Sequence, residues 1–210
     1  MSNTLLINTV INKPSISYLT KNSSENTDLF LDSGKDQIGK ILPLSIEAAK
    51  NKDIKNISCI IGPGSFTSIR IGLSLAKGIS VAKNIPLKSL TTFEYMLNTT
   101  EIKNCDYILC AIDSGKKNNY FIQLFSKEKN PITNTYEYTF DEIENLLQQY
   151  ENTIILSNVE LNLSNQNIQI WNQKNININL LNDFLNKQKN IKPVELKALY
   201  IRPHYAIKKT

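Results

Sequence analysis

The stretch CIIGPGSFTSIRIGLSLAKGIS, residues 59–80, constrains the fold more than any other. An apolar run beginning at Ile57 ends in Cys59, Ile60 and Ile61, and Gly62, Pro63 and Gly64 break it. From Thr67 to Ala82, the apolar residues Ile71, Leu75 and Ile79 recur every four positions, the spacing of one helical face. The order is therefore buried strand, glycine turn, helix. Such a turn aims backbone N–H groups and the positive end of a helix dipole at the space before the helix, where an anion is stabilised. The phosphate signatures nevertheless stay incomplete. No Gly-Lys-Ser/Thr follows at P-loop spacing, Thr67 stands where the dinucleotide fingerprint needs a third glycine, and Pro63 and Thr67 break a Gly-x-Ser-x-Gly around Ser65. Read locally, the loop is either a structural turn or an anion site.

A repeat supplies the second constraint. Aligning Asn8 with Asp113, a shift of half the chain, puts Ile7 on Ile112, Thr9 on Ser114, Ile16 on Phe121, Ser17 on Ile122 and Leu19 on Leu124. Each half opens with a strand, a polar turn and a second strand, the mark of an internal duplication. In the first half Phe30 to Leu31 closes a third strand. Ile38 to Lys50 reads as an amphipathic helix through Ile38, Ile41, Leu42, Ile46 and Ala49, and Pro86 to Leu90 is a further strand before a short helix at Phe93 to Leu97. In the second half Phe140 to Tyr150 is helical and Thr153 to Leu156 a strand. Asparagine blurs Asn158 to Asn190, where runs such as SNQNIQIWNQKNININ suit turns and strand edges better than helices and the elements stay unplaced. The expectation is a two-lobed α/β protein: residues 1–102 form a lobe carrying the GPGSFT loop, and 103–210 a second lobe with a basic tail.

Composition excludes several classes. The 210 residues, 41% hydrophobic, suffice for one large domain or two small lobes with proper cores. Basic residues number 24 against 19 acidic, a modest surplus with one local concentration at Arg202, His204, Lys208 and Lys209. That tail can touch RNA or an acidic partner, or simply be solvated. The three cysteines, at 59, 105 and 110, form no CxxC pair and read as free thiols of a reducing compartment. The beginning of the sequence has no basic leader, and no stretch reaches the roughly 20 apolar residues of a membrane span, so a cytoplasmic protein is expected. A lone histidine, His204, excludes multi-histidine metal sites. Asp113, at the end of the apolar run Tyr107 to Ile112, is either a magnesium ligand near a phosphate or a turn former that bonds its own backbone.

Strand-GPGSFTSIRIGLSLAKGI-helix-IPLKSLTTFE, with AIDSGKKNNYFIQLF and YIRPHY further on, resembles the signature of the TsaB family, whose members are needed to make threonylcarbamoyladenosine beside the anticodon of tRNA. The resemblance implies the duplicated, ribonuclease H-like fold of the actin, hexokinase and Hsp70 superfamily. It also implies a non-catalytic role. TsaB binds TsaD, a protein of similar fold that transfers the threonylcarbamoyl group to tRNA, and the ATPase TsaE joins the pair. No cofactor is then expected on this chain alone, ATP and metal belong to the partner subunits, and tRNA is met through the complex. Three departures from the family pattern weaken ATP hydrolysis further. Asn8 replaces the usual Asp, Gln37, Ile38 and Gly39 stand where relatives carry His-Ser-Glu ahead of Leu42-Pro43-Leu44, and Gly115 replaces an Arg.

Within that resemblance, Ser68, Gly72, Ala76 and Ser80 form a small-residue stripe on the helix after the loop, beside Ile71, Leu75 and Ile79. Small side chains admit close approach by another helix. The expected partner surface comprises Ser68, Arg70, Gly72, Leu75, Ala76, Ile79 and Ser80, with Ile38, Ile41 and Leu42 of the preceding helix, docking on TsaD or on a second copy of the chain. On this reading a bulky residue at Gly72 or Ala76 abolishes pairing and leaves the monomer folded. The competing reading packs the stripe against the chain's own sheet. Gly62, Pro63, Gly64, Ser65, Phe66 and Thr67 then make a preserved turn that shapes the start of the helix. A small ATPase or sugar-kinase-like enzyme using Asp113 and this loop is the alternative function.

Overall fold

β1 (Thr4–Asn8) and β2 (Ser15–Leu19) form an antiparallel hairpin, which β3 (Thr27–Phe30) extends on one side. β4 (Asn56–Ile60) and β5 (Leu87–Leu90) add in parallel on the other side, giving the order β3-β2-β1-β4-β5. Helices α1 (Gln37–Ala49) and α2 (Phe66–Lys83) make the connections into β4 and β5, and α3 (Thr92–Leu97) follows. The computed structural model describes residues 3–20, 27–30, 37–50, 52–161, 163, 167–172 and 175–201, with backbone alone at 27–30 and 37–38. Leu31, expected in the third strand, lies outside the described residues.

The second half builds the same sheet. β6 (Tyr107–Asp113), β7 (Asn119–Ser126), β8 (Tyr136–Thr139), β9 (Thr153–Ser157) and β10 (Asn167–Ile170) take the order β10-β9-β6-β7-β8, with α4 (Phe140–Leu147) and α5 (Ile178–Lys187). Pairing senses match strand for strand. Ile7 faces Ile16 in the first hairpin and Ile112 faces Phe121 in the second, so the half-chain shift reproduces the register residue for residue. This is the duplicated two-lobed fold expected from the repeat. The lobes differ at one crossover. α2 joins β4 to β5, whereas residues 158–166 join β9 to β10, fewer than the dozen residues usual between parallel strands. Leu161 and Leu163 cover that part of the second sheet in place of a helix.

Strand alternation divides the core into three layers. Leu5 and Ile7 of β1 face α1 and α2 on the outside, and Leu6 faces inward. The inner faces of both sheets close on α3 and α5, where Leu6, Ile60 and Leu90 share a core with Ile108, Cys110, Leu156, Phe93, Leu181 and Leu185. Trp171 completes it: its indole N–H donates to Thr99 Oγ1 at 3.0 Å and its ring meets Tyr95 edge-on at 5.5 Å.

In the asparagine-rich segment whose elements the sequence leaves unplaced, β10, within the run SNQNIQIWNQKNININ, is an edge strand, and helix α5 follows it. Asn177 caps the helix by accepting from the N–H groups of Asn179 and Leu180, and Leu181 and Leu185, four apart, are buried. The asparagines between are occupied: Asn182 Nδ2 donates to Thr20 O at 3.0 Å and Asn186 Nδ2 to Asn182 O. Beyond α5 the chain leaves the second lobe. Ile191 N–H donates to Leu87 O at 2.8 Å on the edge of β5, Leu196 enters the core under α2, and Leu199 N–H donates to Ile61 O at 2.8 Å. Residues 191–201 therefore pack on the first lobe and not on the lobe from which they depart, because β5 offers an unpaired edge and Leu196 an apolar seat.

Two lysines cross between the lobes. Nζ of buried Lys88 on β5 donates to Leu185 O at the end of α5, at 2.7 Å, and half-buried Lys129, after β7, donates to Leu97 O at the end of α3, at 2.6 Å. Each ammonium sits at the negative end of a helix dipole. Burial still depresses both below the usual lysine value, so desolvation outweighs what the carbonyls return. The charge consequently disfavours folding until pH rises into the window between the depressed value and 10.5. Lys88→Met, which keeps the apolar stem and removes the ammonium, is expected to change urea-unfolding stability by less than about 1 kcal/mol. Lys88→Glu sets a carboxylate against the same carbonyl end and is expected to lose about 3 kcal/mol or more. Equal losses for the two variants contradict this reading.

Candidate functional site

The GPGSFT loop connects β4 to α2 and is braced on three sides. Gly62 (φ +111°) carries no side chain because a Cβ there meets Leu199 O at 2.7 Å, and one on Gly64 (φ +152°) meets Val10 Cγ1. The third brace is Thr92, whose N–H donates to Gly62 O at 2.8 Å and whose hydroxyl donates to Pro63 O at 2.7 Å. Ser65 then caps α2 by accepting from Ser68 N. Gly62 and Pro63 are buried, and Ser65, Phe66 and Thr67 face solvent. The loop is a joint held by residues 191–201, which run as a strap across the first lobe, by the first hairpin turn and by α3.

The face that α2 turns to the sheet is not the one its aliphatic spacing suggests. Ile69, Gly72, Leu73, Ala76 and Ser80 are buried, whereas Ile71, Leu75 and Ile79 are half-buried at its flanks. Gly72 lies so close to the end of β1 that a Cβ meets Thr9 Oγ1 at 2.5 Å, and that hydroxyl donates to Ser68 O at 2.7 Å. Ser80 Oγ donates to Ile85 O at 2.6 Å. The small stripe is thus spent on the chain's own sheet, and Gly72, Ala76 and Ser80, with Ile41 of α1, are withdrawn from the expected partner surface. A sheet twisted under an 18-residue helix needs small residues where the two approach most closely. What remains outward is Arg70 with part of Ser68, Leu75 and Ile79 on α2, and Leu42 on α1. Ile38 lies in α1, but its side chain is outside the described residues. Sequence reasoning omitted three exposed apolar residues from this surface: Ile46, Phe66 (grouped with the loop) and Val81. Ile46 and Val81 lie away from the buried residues of their helices, and Phe66, the first residue of α2, is exposed at the open end of the helix.

The two hairpin turns, where the enzyme reading places a nucleotide, are also occupied. Asn8 is buried; its Oδ1 accepts from the N–H groups of Val10 and Ile11, and its Nδ2 donates to Ile11 O at 3.0 Å and Lys13 O at 3.4 Å. Aspartate cannot make the last two bonds, so the neutral amide suits this turn. Asp113 is exposed and Oδ1 accepts from Gly115 N–H at 2.9 Å, the turn-forming arrangement. Asn158 joins the two turns by accepting from Asp113 N–H and donating to Asn12 Oδ1, each at 3.4 Å. The cavity beside Asp113 is about 280 Å³, at the floor of the range for small-molecule sites. Burial pushes the Cys59 thiol up to about 12 and raises Cys110 as well, which keeps both in the un-nucleophilic thiol form. Among the described residues no group of three His, Cys, Asp or Glu can hold a metal, and no helix is long and apolar enough to cross a membrane. The tail from Arg202 to Lys209, with His204, lies outside the described residues.

Over 164 residues the chain is 32% identical to the tRNA threonylcarbamoyladenosine biosynthesis protein TsaB of Buchnera aphidicola, spanning 73% of this chain and 68% of that protein. It belongs to the TsaB family. The TsaB of Escherichia coli matches at 29% identity over 44% of this chain and 42% of its own length. That of Haemophilus influenzae matches at 30% identity over 30% and 27%. A sequence model of the family described as "TsaD: tRNA N6-adenosine threonylcarbamoyltransferase" also matches residues 40–192. Two solved structures share the fold at low identity. One, described as an uncharacterized protein with similarity to peptidase YEAZ from Pseudomonas aeruginosa, has a TM-score of 0.72 at 12% identity, covering 96% of this chain and 100% of that one. The other, YeaZ from Pseudomonas aeruginosa, has a TM-score of 0.69 at 13% identity with the same coverage. For a TsaB-family chain the glycines of this helix separate packing from propensity. Gly72→Ala is expected to lose about 2 kcal/mol on unfolding, because Thr9 must move. Gly78→Ala, where a Cβ meets nothing within 4 Å, is expected to gain about 0.5–1 kcal/mol. Equal effects at the two positions contradict the close approach.

Proposed function

We propose that this chain is the non-catalytic subunit of the machinery that forms threonylcarbamoyladenosine on tRNA, and that the outward faces of α1 and α2 dock on a TsaD-type transferase. The match to the Buchnera TsaB along two thirds of that protein carries the reading. The non-catalytic part is supported by the two hairpin turns, where Asn8 spends its whole amide on its own backbone and Asp113 Oδ1 accepts from Gly115 N–H. Docking is supported by exposed apolar side chains on neighbouring outer helices: Leu42 at 54%, Ile46 at 64% and Val81 at 69%. The similarity of residues 40–192 to the transferase family supports a partner that offers a comparable pair of helices, so that like packs on like. In this assembly TsaE joins the pair, ATP and metal sit on the partner subunits, and a homodimer through the same faces competes with the transferase.

The paired substitution Leu42→Asp with Ile46→Asp places two charges on this surface without touching the core. Its unfolding midpoint is expected to match that of the parent, and co-elution with TsaD on size exclusion is expected to disappear together with stimulation of tRNA modification. A variant that still co-elutes with TsaD contradicts the docking face.

A further inference from the structure

We infer that Phe66, Arg70 and Tyr200 form a stacking platform for an unpaired nucleotide of RNA. The three residues come from different places in the chain and meet at the start of α2. Arg70 lays its guanidinium on the Phe66 ring, 3.7 Å from the centroid, and its Nε donates to Tyr200 Oη at 3.1 Å. The Phe66 and Tyr200 rings stand 5.1 Å apart. Tyr200 is delivered by the strap, whose Leu199 N–H is fixed to Ile61 O one residue earlier.

This cluster is oriented but unfinished. Among the described residues no carboxylate pairs with Arg70, and its Nε is held by the phenol. Phe66 remains 52% exposed and Tyr200 46% exposed, which leaves apolar ring faces in water beside a fixed cation. Planar rings and an arginine plane are what splayed-out bases stack on, while the arginine edge takes the adjoining phosphate. An acidic peptide needs the cation alone and leaves both rings unexplained. The charge agrees: IRPHYAIKKT follows directly on Tyr200 with Arg202, Lys208 and Lys209 and no acidic residue, on a chain of formal net charge +5. The platform rests on the proposed function only for which RNA is met; the binding itself stands without it.

Fluorescence anisotropy of the full chain with a labelled single-stranded RNA of about twelve nucleotides tests the platform, with the same sequence as duplex for comparison. Single-stranded RNA is expected to bind more tightly than duplex. Phe66→Ala and Tyr200→Ala are each expected to weaken binding roughly tenfold, and Arg70→Gln to reduce the slope of log affinity against log salt by about 0.7. Because both rings also brace the strap, Phe66→Tyr and Tyr200→Phe provide the control: they keep the stacking faces and are expected to keep at least most of the affinity. Equal binding of duplex and single strand overturns the inference, as do alanine variants of parental affinity or no binding even at low salt. Loss of TsaD association in the alanine variants with RNA affinity unchanged also overturns it, and assigns the cluster to a protein partner. RNA binding as described, with tRNA modification indifferent to the chain, leaves the platform standing and removes the proposed function.

Discussion

The contact between Gly72 and Thr9 sets the rest of the first lobe. With no side chain at Gly72, α2 settles against the end of β1, and the Thr9 hydroxyl binds the Ser68 carbonyl. The rotation of the helix follows: Ile69, Leu73, Ala76 and Ser80 go in, and Arg70 and Val81 go out. The same approach brings the loop before the helix against Val10 and Leu199, where only glycine fits at Gly62 and Gly64. A motif that looks in sequence like a phosphate cradle thus acts as the joint that aims a helix.

The two lobes show what such a joint is for. They share strand order and hairpin register, yet among the described residues only the first has a helix between its last two strands. The second covers the equivalent surface with Leu161 and Leu163. The helix α2 and the segment 191–201 laid over its start therefore give the first lobe an outer surface that the described residues of the second do not repeat; the proposed RNA contact falls on it, and the proposed protein contact spans α2 and the neighbouring α1. Between the lobes the logic is different. Apolar layers meet on α3 and α5, and Lys88 and Lys129 reach across to the carbonyl ends of those helices.

Local signals were readable where side chain and backbone agree. The repeat was legible because the hairpins keep both pattern and spacing, so that Ile7 with Ile16 and Ile112 with Phe121 pair alike. The strand, turn and helix around GPGSFT were legible for the same reason. The facing of α2 was not, since Ile71, Leu75 and Ile79 outweigh Gly72, Ala76 and Ser80 in apolarity while closeness of approach decides packing. Asparagine hid α5, because a residue with poor helical propensity serves there as a cap and as a partner for distant carbonyls. Tyr200 joins Phe66 and Arg70 from across the chain, a contact no local pattern announces.

The central claim is that this chain acts as a required partner and carries no catalytic group of its own. The direct test is tRNA threonylcarbamoylation in a reconstituted mixture of threonylcarbamoyl adenylate, tRNA, TsaD and TsaE, with the chain present, absent, or carrying Asp113→Ala. The account predicts modification that depends on the chain and proceeds with the Asp113 variant as with the parent. Product formed equally well without the chain, or lost with Asp113→Ala in a folded protein, contradicts it.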